Sequence, residues 1–227
     1  MRGISNGNTS APVATPVAEA VFNAGQFFTG DDKYYKNTFG GTQWLKSGFT
    51  APTGANKPLC VSCQVNAIVL ITDGEPYGDN NLPQQFRNNT IQCPRTPATA
   101  PDPCGTDQSN STPNLLDDVT NFLATTDLAV DDATKPETIG VQDVITFVIG
   151  VGLKVPLLDN AAKYGKTSDA MRGDSAQELQ DEVTSAVINI VARATAFSST
   201  AIQTLEVGTG STAFVPRFIP GSPLDAR

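Results

Sequence analysis

Residues 65–76, VNAIVLITDGEP, contain an apolar run that ends abruptly at Thr72-Asp73-Gly74. A run of this length, rich in Ile and Val, predicts a β-strand over 65–71 that is buried on both faces of a parallel sheet. In an open α/β sheet, ligands bind beyond the carboxyl ends of the strands, so Asp73 is well placed to hold a cation or a partner. The alternative is that Asp73 is only a turn residue that ends the strand.

Helix and strand patterns alternate on either side of this strand. Upstream, Thr15-Pro16 predicts the N-cap and the first residue of a helix over 16–28. Downstream, the predicted elements are a helix starting at Thr112-Pro113, a buried strand over 144–151, a helix over 157–164, a short edge strand at 170–171, and a helix behind a Ser175–Glu178 capping box. This alternation predicts an α/β fold with an open, mainly parallel sheet and helices on both faces.

Two long irregular segments, at about 29–64 and 74–111, interrupt the regular pattern and are interpreted as insertions. Beyond residue 196 the chain becomes rich in Ser, Thr, Gly and Pro, with short β-like pieces. We therefore expect one domain over 1–196. Residues 197–227 are expected to be a linker and the first β segments of an absent β-rich domain.

The composition limits the classes of partner. The 227 residues carry a net charge of -8 and are 39% hydrophobic, which is enough to bury a core. Such an acidic chain is a poor partner for nucleic acid or an anionic membrane surface, whereas divalent cations remain possible. No run reaches the roughly 18 apolar residues of a membrane span, and the N-terminus has no apolar signal core. Either the protein is not exported or the sequence before Met1 has been left out.

The cysteines favour export. Cys60, Cys63, Cys93 and Cys104 flank the apolar strand, and the chain has no histidine to complete a zinc knuckle. Two disulfides in an extracytoplasmic protein are the preferred interpretation. Because the strand separates the two pairs, local bridges, Cys60 with Cys63 and Cys93 with Cys104, are expected over crossed ones.

Several segments together resemble a known family. These are VNAIVLITDGEP, the upstream TPVAEAVFNAGQFFTG, and the later VITFVIGVG with LLDNAAKYG. They resemble a von Willebrand factor A domain, and more closely the one at the front of the PilY-type adhesins, the large tip proteins of bacterial type IV pili. The terminal SSTAIQTLEVGTGSTAFVPRFIPG resembles the lead-in to that family's β-propeller, so the likeness covers about residues 11–227.

The resemblance implies a divalent cation, usually magnesium, held at the top of the sheet by three loops. The first loop carries Asp-x-Ser-x-Ser, the second a Thr and the third an Asp. By position, Thr15 matches the second loop and Asp73 the third, although a plain N-cap is the preferred explanation of Thr15. The one Asp-x-Ser-x-Ser match, at 107–111, follows a cysteine loop and is interpreted as a turn into the Thr112 helix cap. We therefore expect an incomplete site, which an upstream segment or a second chain would complete.

Three classes of function remain. The family resemblance implies adhesion and support of pilus assembly at the pilus tip, with minor pilin proteins and a host or surface receptor as partners. Such a protein would be exported through the periplasm to the cell surface and would not be an enzyme. A purely structural packing module without metal is the first alternative. A metal-dependent hydrolase built on Asp73, Glu75 and Asp79 is the second, although no histidine can activate a nucleophile.

Overall fold

The computed structural model describes residues 15–29, 58–59, 64–79, 81–88, 91, 93–94, 103–107, 112–129, 132–134 and 138–196. Its elements are α1 (Val17–Thr29), β1 (Ala67–Thr72), a 3₁₀ helix (Gln84–Asn88), β2 (Thr106–Asp107), β3 (Thr112–Pro113), α2 (Leu116–Thr125), β4 (Ile145–Val151), α3 (Pro156–Tyr164), β5 (Met171–Gly173) and α4 (Ala176–Ala196). Cys60, Cys63 and residues 197–227 lie outside the described residues. The predictions for them, including the domain boundary at 196, stay predictions.

A parallel sheet organises the described chain. β1, β4 and β5 lie in the order β1-β4-β5, with β4 in the middle and both pairings parallel. The register sets Ala67 opposite Ile145 and Ile149 opposite Met171. Parallel strands need a crossover between them, and the helices that alternate with these strands provide it. The predicted α/β class with a parallel sheet is confirmed.

Helices cover both faces of this sheet because successive side chains of a strand point to opposite sides. On one face, Val148 joins a core with residues of α1, α2 and α3, and Ile68 and Leu70 of β1 pack against it. On the other face, Ile145 and Phe147 pack with Ala186 of α4. Both layers follow from the apolar periodicity of the segments that form them.

The burial predicted for the strand at 65–71 is wrong. β1 is mostly half-buried, and Ile71 is 47% exposed, whereas β4 is buried over all but its last residue. Among the described strands, β1 has a partner on one edge only, and α4 lies mainly over β4 and β5. An apolar run therefore forms an edge strand here, where the sequence pattern is typical of a central one.

The first helix starts within one residue of its predicted position but is not capped by Thr15, and the helix start predicted at Thr112-Pro113 is wrong. Thr15 pairs with Tyr77 in an antiparallel bridge, with N···O distances of 2.9 and 3.0 Å, and α1 begins only at Val17. Thr112-Pro113 forms β3, which pairs with β2, and α2 begins at Leu116. In both cases a backbone partner engages the segment that local sequence assigns to a cap; this partner is distant in sequence for Thr15 and nearby for Thr112.

The later elements agree closely with their predictions. β4, α3 and β5 each start within one residue of the predicted position. At the start of α4 the Glu178 N–H donates to Ser175 Oγ at 3.2 Å, as a capping box requires. The Glu178 carboxylate accepts from the Asp174 N–H at 2.8 Å instead of the Ser175 N–H, so the box is shifted by one residue on that side.

Within the described ranges, none of the helices combines the length and the apolar character that crossing a bilayer demands. This agrees with the absence of a sufficiently long apolar run in the sequence.

Candidate functional site

The turn that carries Asp73 lies at the carboxyl end of β1. Thr72 Oγ1 donates to the Gly74 carbonyl at 2.9 Å and accepts from the Gly74 N–H at 3.3 Å, which closes the turn and leaves the Asp73 side chain exposed. Thr15 lies against this turn. A Cβ placed on Gly74 would be 3.8 Å from Thr15 Oγ1 and 3.7 Å from its Cγ2. The fold therefore brings the segments of the two predicted ligands together, although 57 positions separate the residues in the sequence (73 − 15 − 1).

A hydroxyl and a carboxylate are hard oxygen donors of the kind that magnesium binds. Asp107, the first residue of the Asp-x-Ser-x-Ser match that is interpreted as a turn, is engaged elsewhere. Asp107 is 1% exposed, and its Oδ2 accepts from the N–H groups of Gly78 at 2.9 Å and Asp79 at 2.8 Å. Residues 108–111 lie outside the described chain. The described residues thus match two of the three ligand loops and do not make a complete magnesium site.

Asp79 caps the N-terminus of α1, the role that sequence assigned to Thr15. Its Oδ1 accepts from the Glu19 N–H at 2.9 Å and its Oδ2 from the Ala18 N–H at 3.2 Å. Burial raises the pKa of Asp79 to about 6, against the opposing effect of these two hydrogen bonds. The carboxylates of Glu19 and Asp107 raise the pKa further by repulsion.

Residues 77–79 and 81, here called the capping loop, hold the first turn of α1 from several sides. Tyr77 pairs with Thr15, Asp79 caps the helix, and the Asn81 N–H donates to Glu19 Oε1 at 2.6 Å. Asp107 in turn fixes the backbone of Gly78 and Asp79. The position of Thr15 beside the Asp73 turn is therefore fixed by a set of tertiary hydrogen bonds.

The three carboxylates of the hydrolase alternative do not come close together. Both oxygens of Asp79 accept backbone N–H groups of α1, while Asp73 and Glu75 are exposed. Among the described residues, the three His, Cys, Asp or Glu side chains whose ligand atoms come within 4.8 Å of one another are Cys93, Cys104 and Asp117. Asp73, Glu75 and Asp79 form no such group.

The group of Cys93, Cys104 and Asp117 includes a disulfide between the two cysteines, whose Cα atoms are 5.4 Å apart. It is the local pairing expected for these residues. Asp117, in the first turn of α2, is 1% exposed, and its Oδ2 lies 3.7 Å from Cys104 Sγ and accepts from Asn160 Nδ2 at 2.7 Å. Burial raises the pKa of Asp117 to about 7, the Asn160 hydrogen bond opposes this, and the nearby Asp118 carboxylate adds to it.

Sequence reasoning missed Asp117 and Asn160. An acidic residue in a first helical turn is ordinary, because the helix dipole favours it there. The available signal was the helical spacing that places Asp117 on the same buried face as Leu116 and Thr120, but it does not identify the partner.

Comparison of the chain with protein-family models, with curated proteins and with solved structures gave no match.

Proposed function

We propose that this chain is a non-enzymatic binding module of an exported, PilY-like adhesin, which works in surface adhesion and pilus assembly at the tip of a type IV pilus. One observation supports this most directly. Thr15 lies against the Thr72–Gly74 turn at the carboxyl edge of the sheet. The family resemblance assigns two loops of a cation-dependent adhesion site to these two segments.

Each residue would have a distinct task in such a site. The exposed Asp73 carboxylate supplies negative charge at the sheet edge, and the Thr15 hydroxyl, held by the Tyr77 bridge, supplies a neutral oxygen. A magnesium ion bound there would provide an open coordination position for an oxygen of a receptor. The remaining oxygen ligands would come from an upstream segment or from a second chain.

A structural packing module without metal is the second candidate, and β1 favours it. This apolar strand is half-buried and carries Ile71 at 47% exposure. An edge strand with such a sequence is a template for pairing with another strand. In this alternative the chain would contribute to the tip complex by extending its sheet, and Asp73 would serve only the turn.

Asp73→Ala separates these candidates in cells that express the protein and assemble pili. We expect thermal stability to be unchanged because Asp73 is exposed and the Thr72–Gly74 hydrogen bonds remain. Attachment to a surface should fall, and pilus number should fall less, because removing the carboxylate removes the charge that favours the cation.

Asp169→Ala, which removes another exposed Asp, is the matched control and should leave attachment unchanged. A folded Asp73→Ala protein with normal attachment would contradict cation-dependent adhesion and favour the packing module. Turnover of an ester or phosphate substrate that is lost in Asp73→Ala would favour the hydrolase instead.

A further inference from the structure

The cluster of Cys93, Cys104 and Asp117 is the most chemically distinctive feature that the proposed function leaves unused. The three side chains are 2%, 6% and 1% exposed, and their ligand atoms all lie within 4.8 Å of one another. Ligand atoms around a tetrahedral zinc ion lie roughly 3.4–3.8 Å apart, given the usual zinc–sulfur and zinc–oxygen bond lengths. Once the disulfide is opened, small side-chain movements would bring the three atoms to that spacing.

We propose that Cys93, Cys104 and Asp117 form a buried binding site for a thiophilic divalent cation, such as zinc, in the reduced protein. A dithiol or phosphine reductant supplies two electrons to the disulfide, and two protons complete the two thiols. Binding of the cation then releases these two protons, because the thiolate is the ligand. Thiolates are soft donors, so this site favours zinc over magnesium or calcium.

The surroundings of Asp117 already orient its carboxylate. The Asp118 N–H donates to Oδ1 at 3.1 Å, and Asn160 Nδ2 donates to Oδ2 at 2.7 Å. Partners of this kind fix the orientation of metal-ligating carboxylates and raise affinity. Asn160 is itself buried, so its hydrogen bond to Oδ2 is shielded from water.

The cation would connect a part of the molecule that the disulfide does not reach. Cys93 and Cys104 belong to the segment between β1 and α2, whereas Asp117 belongs to α2. The disulfide is the expected form in an oxidising compartment, and the thiol pair is the form that a reducing one maintains. Three protein ligands would leave one coordination position of the cation for water. In the reduced protein the cation would join the cysteine segment to α2, whereas the disulfide joins only Cys93 to Cys104.

Cobalt(II) titration of the full chain tests the proposal, with Cys60→Ser and Cys63→Ser introduced to remove the other thiols. After reduction with a phosphine, we expect one cobalt per chain, with a thiolate-to-cobalt charge-transfer band and the intense visible bands of tetrahedral coordination. Zinc should displace the cobalt. Asp117→Asn should weaken binding at least about tenfold, since loss of even a supporting partner costs that much.

Asp159→Asn, in α3, is the control and should bind cobalt like the parent. Circular dichroism establishes that each reduced variant is folded. Absence of cobalt binding by the reduced parent would overturn the proposal. Equal affinity in parent and Asp117→Asn would also overturn it, because an unfolded chain or the thiols alone would then account for binding.

Discussion

At the residue scale, two buried carboxyl groups have pKa values well above the ordinary one. Burial raises the pKa of Asp79 to about 6 and that of Asp117 to about 7, although each accepts hydrogen bonds that oppose the shift. Desolvation therefore outweighs hydrogen bonding at both sites. At pH 7 Asp79 therefore caps α1 mainly as an anion, whereas Asp117 keeps a larger protonated fraction.

These shifts predict how stability changes with pH. The folded chain binds these two protons more tightly than the unfolded chain does, so the groups favour folding at low pH. Their contribution is lost as the pH rises from about 4 to about 6 for Asp79 and to about 7 for Asp117. The free energy of unfolding should fall over that window by an amount on the order of a few kcal/mol, since one pKa unit corresponds to about 1.4 kcal/mol.

Asp117→Asn tests the larger of the two shifts because it keeps the shape of the side chain but cannot ionise. Urea unfolding at pH 5 and pH 8 should show a smaller loss of stability for this variant than for the parent. Asp181→Asn, on the exposed face of α4, should keep the parent's pH dependence. A parent-like loss of stability in Asp117→Asn would show that Asp117 does not carry the effect.

Asp73 is predicted as a site residue because it follows an apolar strand, and Thr15 only because the family resemblance assigns it a ligand loop. The sequence does not predict Asp79 as a cap, since Asp79 accepts a hydrogen bond from the N–H group of Ala18, which is 61 residues away. The Asn160 partner of Asp117 is likewise 43 residues away. Local sequence contains no information about such pairs. The residues that fix the candidate site were therefore found only in the folded chain.

At the element scale, β5 and α4 make a close backbone approach at Gly173. A Cβ there would lie 2.8 Å from both the Cα and the N of Leu179, and backbone atoms cannot move aside as a side chain can. Gly173→Ala should therefore push α4 away from β5. We expect it to lower the free energy of unfolding by about 1–3 kcal/mol, the usual cost of overpacking.

Gly74→Ala is the matched control, because its added methyl group would meet Thr15 no closer than 3.7 Å. Urea unfolding of the two variants, measured side by side, checks the prediction. A Gly173→Ala protein as stable as Gly74→Ala would mean that the approach of α4 to β5 is looser than described.

Some of the helices and strands can be predicted from the sequence, and others cannot. β4, α3, β5 and α4 follow from apolar periodicity and a nearby capping signal. The cap of α1 and the start of α2 do not, because Thr15 and Thr112 pair with a loop and a strand instead. The burial of β1 also could not be predicted, since an apolar run does not specify how many neighbours its strand has.

At the scale of the whole molecule, the alternation of helices and strands was sufficient to predict the α/β class, and the order β1-β4-β5 confirms a parallel sheet. The sequence did not place β1 at an edge of the described sheet. β1, the strand that leads into the Asp73 turn, is thus an edge strand of the described sheet.

The isolated chain should bind magnesium or manganese weakly or not at all. Thr15 and Asp73 supply two oxygen ligands, which cannot replace the water that magnesium releases reluctantly. Isothermal titration calorimetry should show little heat. A tight site would contradict this prediction. It would mean that the acidic residues after β1 or residues 108–111 supply the missing ligands. Asp107 is a poor candidate because it already accepts two backbone N–H groups.

The capping of α1 by Asp79 also bears on how the chain is made. A ribosome releases residues 17–29 early, yet the carboxylate that the Ala18 N–H needs lies 61 residues further along. At translation rates of 5–20 residues per second, that interval is roughly 3–12 s. During this time the first turn of the nascent helix lacks the Asp79 carboxylate as an acceptor. The cap of α1 therefore cannot form until β1 and the capping loop have emerged.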